Sequence, residues 1–416
     1  MRPILILILS LLVVRMASGG ELPSLAADAR SILGADQGVY VEAADGKVLL
    51  GQAAARPVHP ASVSKVPTTL ALLRKLGPEH RFVTTFSTSS QVVDGALLGD
   101  LLVQGGGDPS LVDEDALLVA DRLLELGIRQ VVGNLRLRGT LTFDWQNDED
   151  GSRLRRALSG SISAGALASV RAWELENPGG SAPSPGSLRP QGIRFEPAAA
   201  LPAADVAGPG ATGLPKERPL IIHRSQPLLA LAKSLNDYSN NIFKPLADEA
   251  GGAASVESLA RSLVPEAMRG EITLGDGAGT DPINRLSPRV TVNLLRALDK
   301  ELHATGHALS DILPVAGIDE GTLRHRLDGP EEVGRVVGKT GTFGDYGASA
   351  LVGAISTSDR GTVYFAILNH GVPVPEARRR QDRFVRSLLA HLQSVPWNYQ
   401  RDVRPAIARA EVLKAP

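Results

Sequence analysis

The 416-residue chain contains no cysteine. Disulfides, thiol nucleophiles and thiolate metal sites are thereby excluded together, and the absence fits a protein exported from a bacterial cytoplasm. Aromatic residues make up only 4%, and the formal net charge is −1. No excess of positive charge is available for a polyanion, so nucleic acid is not an expected partner. Lysine is also scarce, at nine of the 44 basic residues. Beyond the first 20 residues no apolar run is long enough to cross a bilayer.

What is present is a globular composition, 43% hydrophobic and 21% charged, in a chain long enough for two or three domains. Arg2, the apolar run Ile4–Val14 and the small residues Ala17, Ser18 and Gly19 have the layout of a secretory signal. Residues 1–20 are expected to direct export to the periplasm; retention of this segment as an anchor is the alternative.

A hairpin is predicted over Gly38–Val41 and Lys47–Leu50, turned by Asp45-Gly46. After His59-Pro60-Ala61-Ser62 a helix is predicted to about Leu76. Short strands and one helix follow: Leu101–Val103, a turn cluster Gly105–Pro109, a helix Asp113–Leu126 and a strand Gln130–Leu137. Residues 177–219 are rich in Pro, Gly and Ala and read as irregular. Helical character returns over Pro227–Glu249. Ser287-Pro288 supplies a cap and first-turn proline for a helix to about His303. Three strands (Gly334–Lys339, Ala348–Ile355, Thr362–Leu368) and a final amphipathic helix Glu376–Leu392 complete the pattern. Similar elements at both ends imply one domain, residues 21–82 and 223–395, interrupted by an insertion at 83–222, with a C-terminal tail at 396–416.

Three motifs occur in order: Ser62-Val63-Ser64-Lys65, Ser239-Asn240-Asn241 and Lys339-Thr340-Gly341. The set is closely similar to that of penicillin-interacting serine enzymes. Residues three apart on a helix share a face, so Lys65 can reach Ser62. A serine hydroxyl needs a base, and an amine serves when burial or a nearby cation, here Lys339, disfavours its protonated form. A guanidinium cannot take that part, yet two of nine lysines fall where an amine is needed. Ser239 can relay a proton to a leaving amine, and Asn241 can orient substrate and Lys65. Lys339-Thr340-Gly341 is predicted to end a strand, with Gly341 bare so that a peptide can approach and add alongside. Lys339 and the Thr340 and Thr342 hydroxyls can then hold a carboxylate.

These motifs and their surroundings resemble the D-alanyl-D-alanine carboxypeptidase/endopeptidase family, the class C low-molecular-mass penicillin-binding proteins of the penicillin-binding protein 4 type. Matching stretches are Pro60–Lys65, Gly105–Leu111, Gly133–Phe143, Ser239–Asn241, Asp276–Pro288, Leu313–Leu323 and Gly338–Gly341. The resemblance implies an α+β fold: a transpeptidase/β-lactamase-like domain, an antiparallel sheet flanked by helices, with an inserted β-rich domain that is shortened here. It implies acylation of Ser62 activated by Lys65, proton transfer through Ser239 with Asn241, and carboxylate binding by Lys339 and Thr340. It also implies an oxyanion hole from the backbone N–H groups of Ser62 and Thr342, and neither cofactor nor metal. The implied substrates are peptidoglycan stem peptides, cut at D-alanyl-D-alanine or at D-alanyl-meso-diaminopimelate cross-links, with β-lactams as covalent inhibitors. Peripheral association with membrane or cell wall is left open. Asn240 replaces the aspartate common at the centre of the second motif.

Two rivals remain at this level. A β-lactamase-like hydrolase would need a separate deacylating carboxylate, and Glu174 and Glu176 match no such motif. A non-catalytic peptidoglycan-binding scaffold would carry a damaged motif, and all three are whole. His303 and His307 lie at metal-pair spacing on a helix end but read as helix-terminal cations. Gly275-x-Gly277-x-Gly279 reads as a turn near the cleft, and Arg378–Arg380 as a solvated helix face.

Overall fold

The structure is a computed structural model that describes residues 22–176, 192–197, 216–344, 347–404 and 406–416, without the side chains of 174–176. The expected signal segment, most of the 177–219 stretch and the side chains of Glu174 and Glu176 lie outside the described residues.

An antiparallel sheet runs in the order Val336–Phe343, Ala348–Thr357, Gly361–Asn369, Gly38–Ala43, Val48–Gln52. Its first hairpin turns at Asp45-Gly46 as predicted, with Gly46 at φ 88° and the Lys47 N–H donating to Asp45 Oδ1 at 2.9 Å. The central strands are apolar on both faces because both are covered. Leu351, Ile355, Val363, Phe365 and Ile367 pack with the helices Pro23–Leu33 and Val374–His391. Alternating with them, Ala350, Val352, Ala354 and Ala366 pack with Lys65–Leu76 and Pro288–Ala304. The second of these helices opens as read from sequence: Ser287 Oγ accepts from the Val290 N–H at 3.2 Å, and Pro288 occupies the first turn.

The insertion is β-rich and has its own apolar cluster, which includes Phe86, Val103, Val119 and Phe143. One sheet runs Glu411–Lys414, Arg218–Arg224, Val83–Thr88, Leu101–Gln104, Leu135–Arg138. A smaller one runs Arg194–Glu196, Gln130–Val132, Ala96–Leu97, Val92–Val93. The single strand expected over Gln130–Leu137 is therefore two, in different sheets. The chain changes sheet at Gly133, where a Cβ would lie 2.5 Å from the Gly99 carbonyl oxygen, so only glycine allows the crossing. The helix expected over Pro227–Glu249 is likewise two, Leu228–Tyr238 and Phe243–Glu249, broken by the second motif.

A buried charge cluster ties the insertion together. His223, on the Arg218–Arg224 strand, has Nε2 3.1 Å from Asp115 Oδ1 and Nδ1 3.5 Å from Asp108 Oδ2. Asp115 lies on the helix Asp113–Glu125, and Asp108 in the Gly-rich turn, where Oδ1 accepts from the Ser110 N–H and hydroxyl. Residues 396–416 run back to the insertion, where Glu411–Lys414 pairs with Arg218–Arg224.

Candidate active site

Ser62 sits on a single 3-10 turn, Ala61–Ser64, that runs directly into the helix Lys65–Leu76. Ala61 has φ 49°, a conformation alanine rarely adopts. His59 helps to hold it: the Ala61 N–H donates to Nδ1 at 3.1 Å, and Nε2 lies 3.1 Å from the Asp281 carbonyl oxygen. One nitrogen accepts and the other donates, so the ring is neutral. Burial lowers its pKa and favours the same state. The ring stacks on Phe343 with centroids 4.4 Å apart.

Lys65 is fully buried (0% exposed). Its Nζ lies 2.8 Å from Ser62 Oγ, 2.7 Å from the Ala278 carbonyl oxygen and 3.3 Å from Asn241 Oδ1. The last two can only accept, so they take two N–H bonds of the amine. The remaining position faces Ser62, as an N–H when protonated and as a lone pair when not. Burial pushes the pKa of Lys65 from 10.5 down to about 7, against a weaker opposing pull from Asp276.

The Ala278 carbonyl is placed by Asp276. Its carboxylate accepts from the N–H groups of Gly279 at 2.8 Å and Thr280 at 3.0 Å, from Asn284 Nδ2 at 3.0 Å and from the Thr280 hydroxyl. Burial raises the pKa of Asp276, but these hydrogen bonds outweigh it and hold the carboxyl below its usual range. The glycine-spaced segment is thus a turn beside the cleft. Gly279, at φ +83°, packs on Ala61, whose carbonyl a Cβ would overlap.

Ser239 ends its helix in the left-handed region (φ 57°), and its Oγ accepts from Lys339 Nζ at 2.9 Å. Asn241 reaches Lys65. Between them, Asn240 turns away, and its Oδ1 accepts from the Ile242 N–H at 2.9 Å to start the next helix. An aspartate could make the same bond, which is why the departure at this position leaves the site intact.

Lys339 is also fully buried (0% exposed). Burial, then the charge of Lys65, hold its pKa well below the ordinary value, while Asp237 opposes. The motif does not end its strand as expected: Val336–Phe343 continues two residues past Gly341. The strand forms one edge of the sheet. Val315 bridges Val337 on the outer side, and the Gly338 N–H donates to the Pro314 carbonyl at 3.0 Å. Beyond Gly338 no strand pairs with that edge among the described residues. Thr340 Oγ1 donates to Thr322 Oγ1 at 2.9 Å.

Gly341 has a part that the sequence did not reveal. A Cβ there would lie 2.5 Å from the Pro60 carbonyl oxygen and 3.1 Å from the Ser62 nitrogen. Its bareness seats the strand on the nucleophile turn, rather than merely clearing room for substrate. Gly341→Ala is expected to cost about 1–3 kcal/mol through overpacking. It should also slow acylation on the order of 10²-fold through misplacement of Ser62. Thermal unfolding and acylation rates measured together check this, and a variant normal in both would show that strand and turn do not meet as described.

Of the eight residues singled out in sequence, Ser62 and Asn241 meet at the Lys65 amine, Ser239 meets Lys339, which feels the charge of Lys65, and Thr340, Gly341 and Thr342 follow Lys339 on the edge strand. The family model described as the D-Ala-D-Ala carboxypeptidase 3 (S13) family matches residues 19–153 and 187–391. The chain belongs to this family. It is a serine D,D-peptidase of the peptidoglycan-acting class, and so an enzyme. Among curated proteins, the D-alanyl-D-alanine carboxypeptidase of Actinomadura sp. (strain R39) is 28% identical over 460 residues, covering 88% of this chain and 84% of that one. Among solved structures, a predatory peptidoglycan endopeptidase from Bdellovibrio bacteriovorus matches with TM-score 0.70 at 21% identity, covering 91% of this chain and 99% of that chain. Penicillin-binding protein 4 from Haemophilus influenzae matches with TM-score 0.61 at 19% identity, covering 89% and 99%. Both likenesses agree in fold: α+β, with the transpeptidase-like sheet and the β-rich insertion.

Several residues of this S13 peptidase site escaped the sequence reading. His59 and Asp276 stood inside stretches already singled out, but a lone histidine or aspartate carries no signal of what it will face. His303 and His307 each lie near an aspartate of their own, Asp299 at 3.1 Å and Asp311 at 3.8 Å. Among the described residues no group of three acidic or histidine side chains is set to hold a metal, and no helix is long and apolar enough to cross a membrane.

Proposed function

We propose that Ser62 is the nucleophile of this S13 peptidase and that neutral Lys65 takes its proton. Ser62 Oγ attacks the carbonyl carbon of a D-alanyl–D-amino-acid bond as its proton passes to Lys65 Nζ. The backbone N–H groups of Ser62 and Thr342 are assigned to the developing oxyanion. Collapse breaks the C–N bond, and the departing amine takes a proton through the Ser239 hydroxyl, which Lys339 contacts. Water then hydrolyses the ester at Ser62. The leaving group is D-alanine in carboxypeptidase action and meso-diaminopimelate of a neighbouring stem in endopeptidase action. Lys339, Thr340 and Thr342 would hold its carboxylate, with Gly341 keeping the strand against Ser62. Export through residues 1–20 to the periplasm belongs to the same reading.

The observation that carries it is the 2.8 Å contact between Ser62 Oγ and a fully buried lysine whose other N–H bonds are already taken. In a β-lactam the leaving amine stays tethered, so the same attack should leave a stable adduct. Intact-mass analysis after incubation with a penicillin should show one adduct, mapping to the Ser62 peptide and absent from Ser62→Ala. No adduct, or one that survives the substitution, overturns the assignment.

A further inference from the structure

The arginine run Arg378–Arg380 reads as a solvated face, and the structure divides it. Arg379 and Arg380 both pair with Glu376, a turn earlier on the C-terminal helix. Arg378 makes no ion pair among the described residues. Its Nη2 donates instead to Thr342 Oγ1 at 2.8 Å, which brings the helix Val374–His391 to the carboxylate end of the edge strand. The nearby carboxylate, Asp382, is engaged by Arg326, with Nε and Nη2 at 2.9 and 2.6 Å from Oδ1. Partial burial and the charge of Arg326 both disfavour the Arg378 cation, and Asp382 only partly offsets them. The local balance is one positive charge without its own anion, beside a residue assigned to carboxylate binding.

A hydroxyl has one proton and two lone pairs. With one lone pair of Thr342 occupied by Arg378, its proton is left to donate to a further acceptor. Thr340 and Thr342 lie two apart on a strand and share a face. Thr340 spends its proton on the Thr322 hydroxyl, so the free donor on this face is Thr342. One directed hydroxyl and the Arg378 guanidinium bonded to it therefore stand together on the same side of the strand. That is a receptor for a carboxylate, and a neutral amide would lose the charge-assisted part of it.

We infer that Arg378 is a positioning residue that makes this site demand a free α-carboxylate on the residue departing with the scissile nitrogen, acting through Thr342. The inference rests on the acyl-enzyme reading above and adds to it the residue that sets how strictly the carboxylate is required. Free D-alanine and the D-centre of diaminopimelate both carry that carboxylate, so Arg378 serves both bonds. A cross-link or stem whose departing residue is amidated lacks that carboxylate.

The test compares an acylated D-alanyl-D-alanine peptide with its C-terminal amide, in wild type, Arg378→Gln and Arg378→Lys. Loss of one hydrogen bond to a charged group corresponds to about 10- to 100-fold. The wild-type preference for acid over amide, as a ratio of kcat/KM, should fall by that factor in Arg378→Gln and recover in part in Arg378→Lys. A merely structural arginine would lower both rates and leave the ratio alone, and an unchanged ratio overturns the inference. Penicillin acylation of the wild type at Ser62 is scored in parallel. If it fails, the parent reading falls and this one with it; if it succeeds with an unchanged ratio, only the role of Arg378 falls.

Discussion

Lys65→Arg should slow acylation of the enzyme by about 10³-fold, although charge and approximate length are kept. The site asks for an amine that can shed its proton near neutrality. Burial brings Lys65 down to about 7, and the two oxygen acceptors leave its third position to Ser62. A guanidinium stays protonated and would present an N–H where a lone pair is required. The pH dependence carries the same argument. The base must be neutral, so kcat/KM should rise with pH through about 7 and level above it, because the pKa is lowered and the active form lies on its alkaline side. Stopped-flow acylation with a chromogenic β-lactam across pH 5–9 measures both. An arginine variant within tenfold of wild type, or a profile flat through neutrality, would remove Lys65 as the base. The burial that activates Lys65 also opposes folding of its charged form. Its contribution to stability therefore improves as pH rises from about 7 towards 10.5.

His223→Ala is expected to destabilise the insertion by about 3–5 kcal/mol. The imidazole lies between Asp115 and Asp108 with almost no exposure, and removing it leaves two carboxylates buried with nothing opposite. Desolvation works against the charged ring, but the charges and hydrogen bond of Asp115, with Asp108 behind, win and raise its pKa above 6.5. A histidine raised on folding contributes stability that is full below its unfolded value of 6.5 and lost as pH climbs through the higher folded value. Denaturant unfolding of wild type and variant at pH 6 and pH 9 should thus show a gap that is wide at pH 6 and narrower at pH 9. A variant within 1 kcal/mol of wild type at both would mean that the cluster does not hold the insertion.

What was legible in sequence follows from how local each signal is. Ser62 and Lys65 are three apart, the Asp45-Gly46 turn is two residues, and the Ser287 cap acts on Val290, so each can be read within a few positions. The edge strand was recognised through Lys339-Thr340-Gly341 but cut short, because its last residues look like a turn until their pairing with Ala348–Ser349 is known. The break at Gly133 and the seat at Gly341 depend on backbone atoms from distant segments, Gly99 and Pro60. The contact of Arg378 with Thr342 is hidden in sequence for a related reason, although the run is the solvated face that was expected. In sequence its neighbours Arg379 and Arg380 look identical to it, and only the fold turns one of the three towards Thr342.

The strand order also bears on how the molecule comes into being. Gly38–Ala43 pairs with Gly361–Asn369, and the sheet of the insertion takes its edge from Glu411–Lys414. Both sheets therefore wait for segments synthesised last, and the earlier strands spend that interval with open edges. Such long-range closure is slow and prone to aggregation. A chain built this way gains from anything that keeps its early strands apart until the late ones arrive.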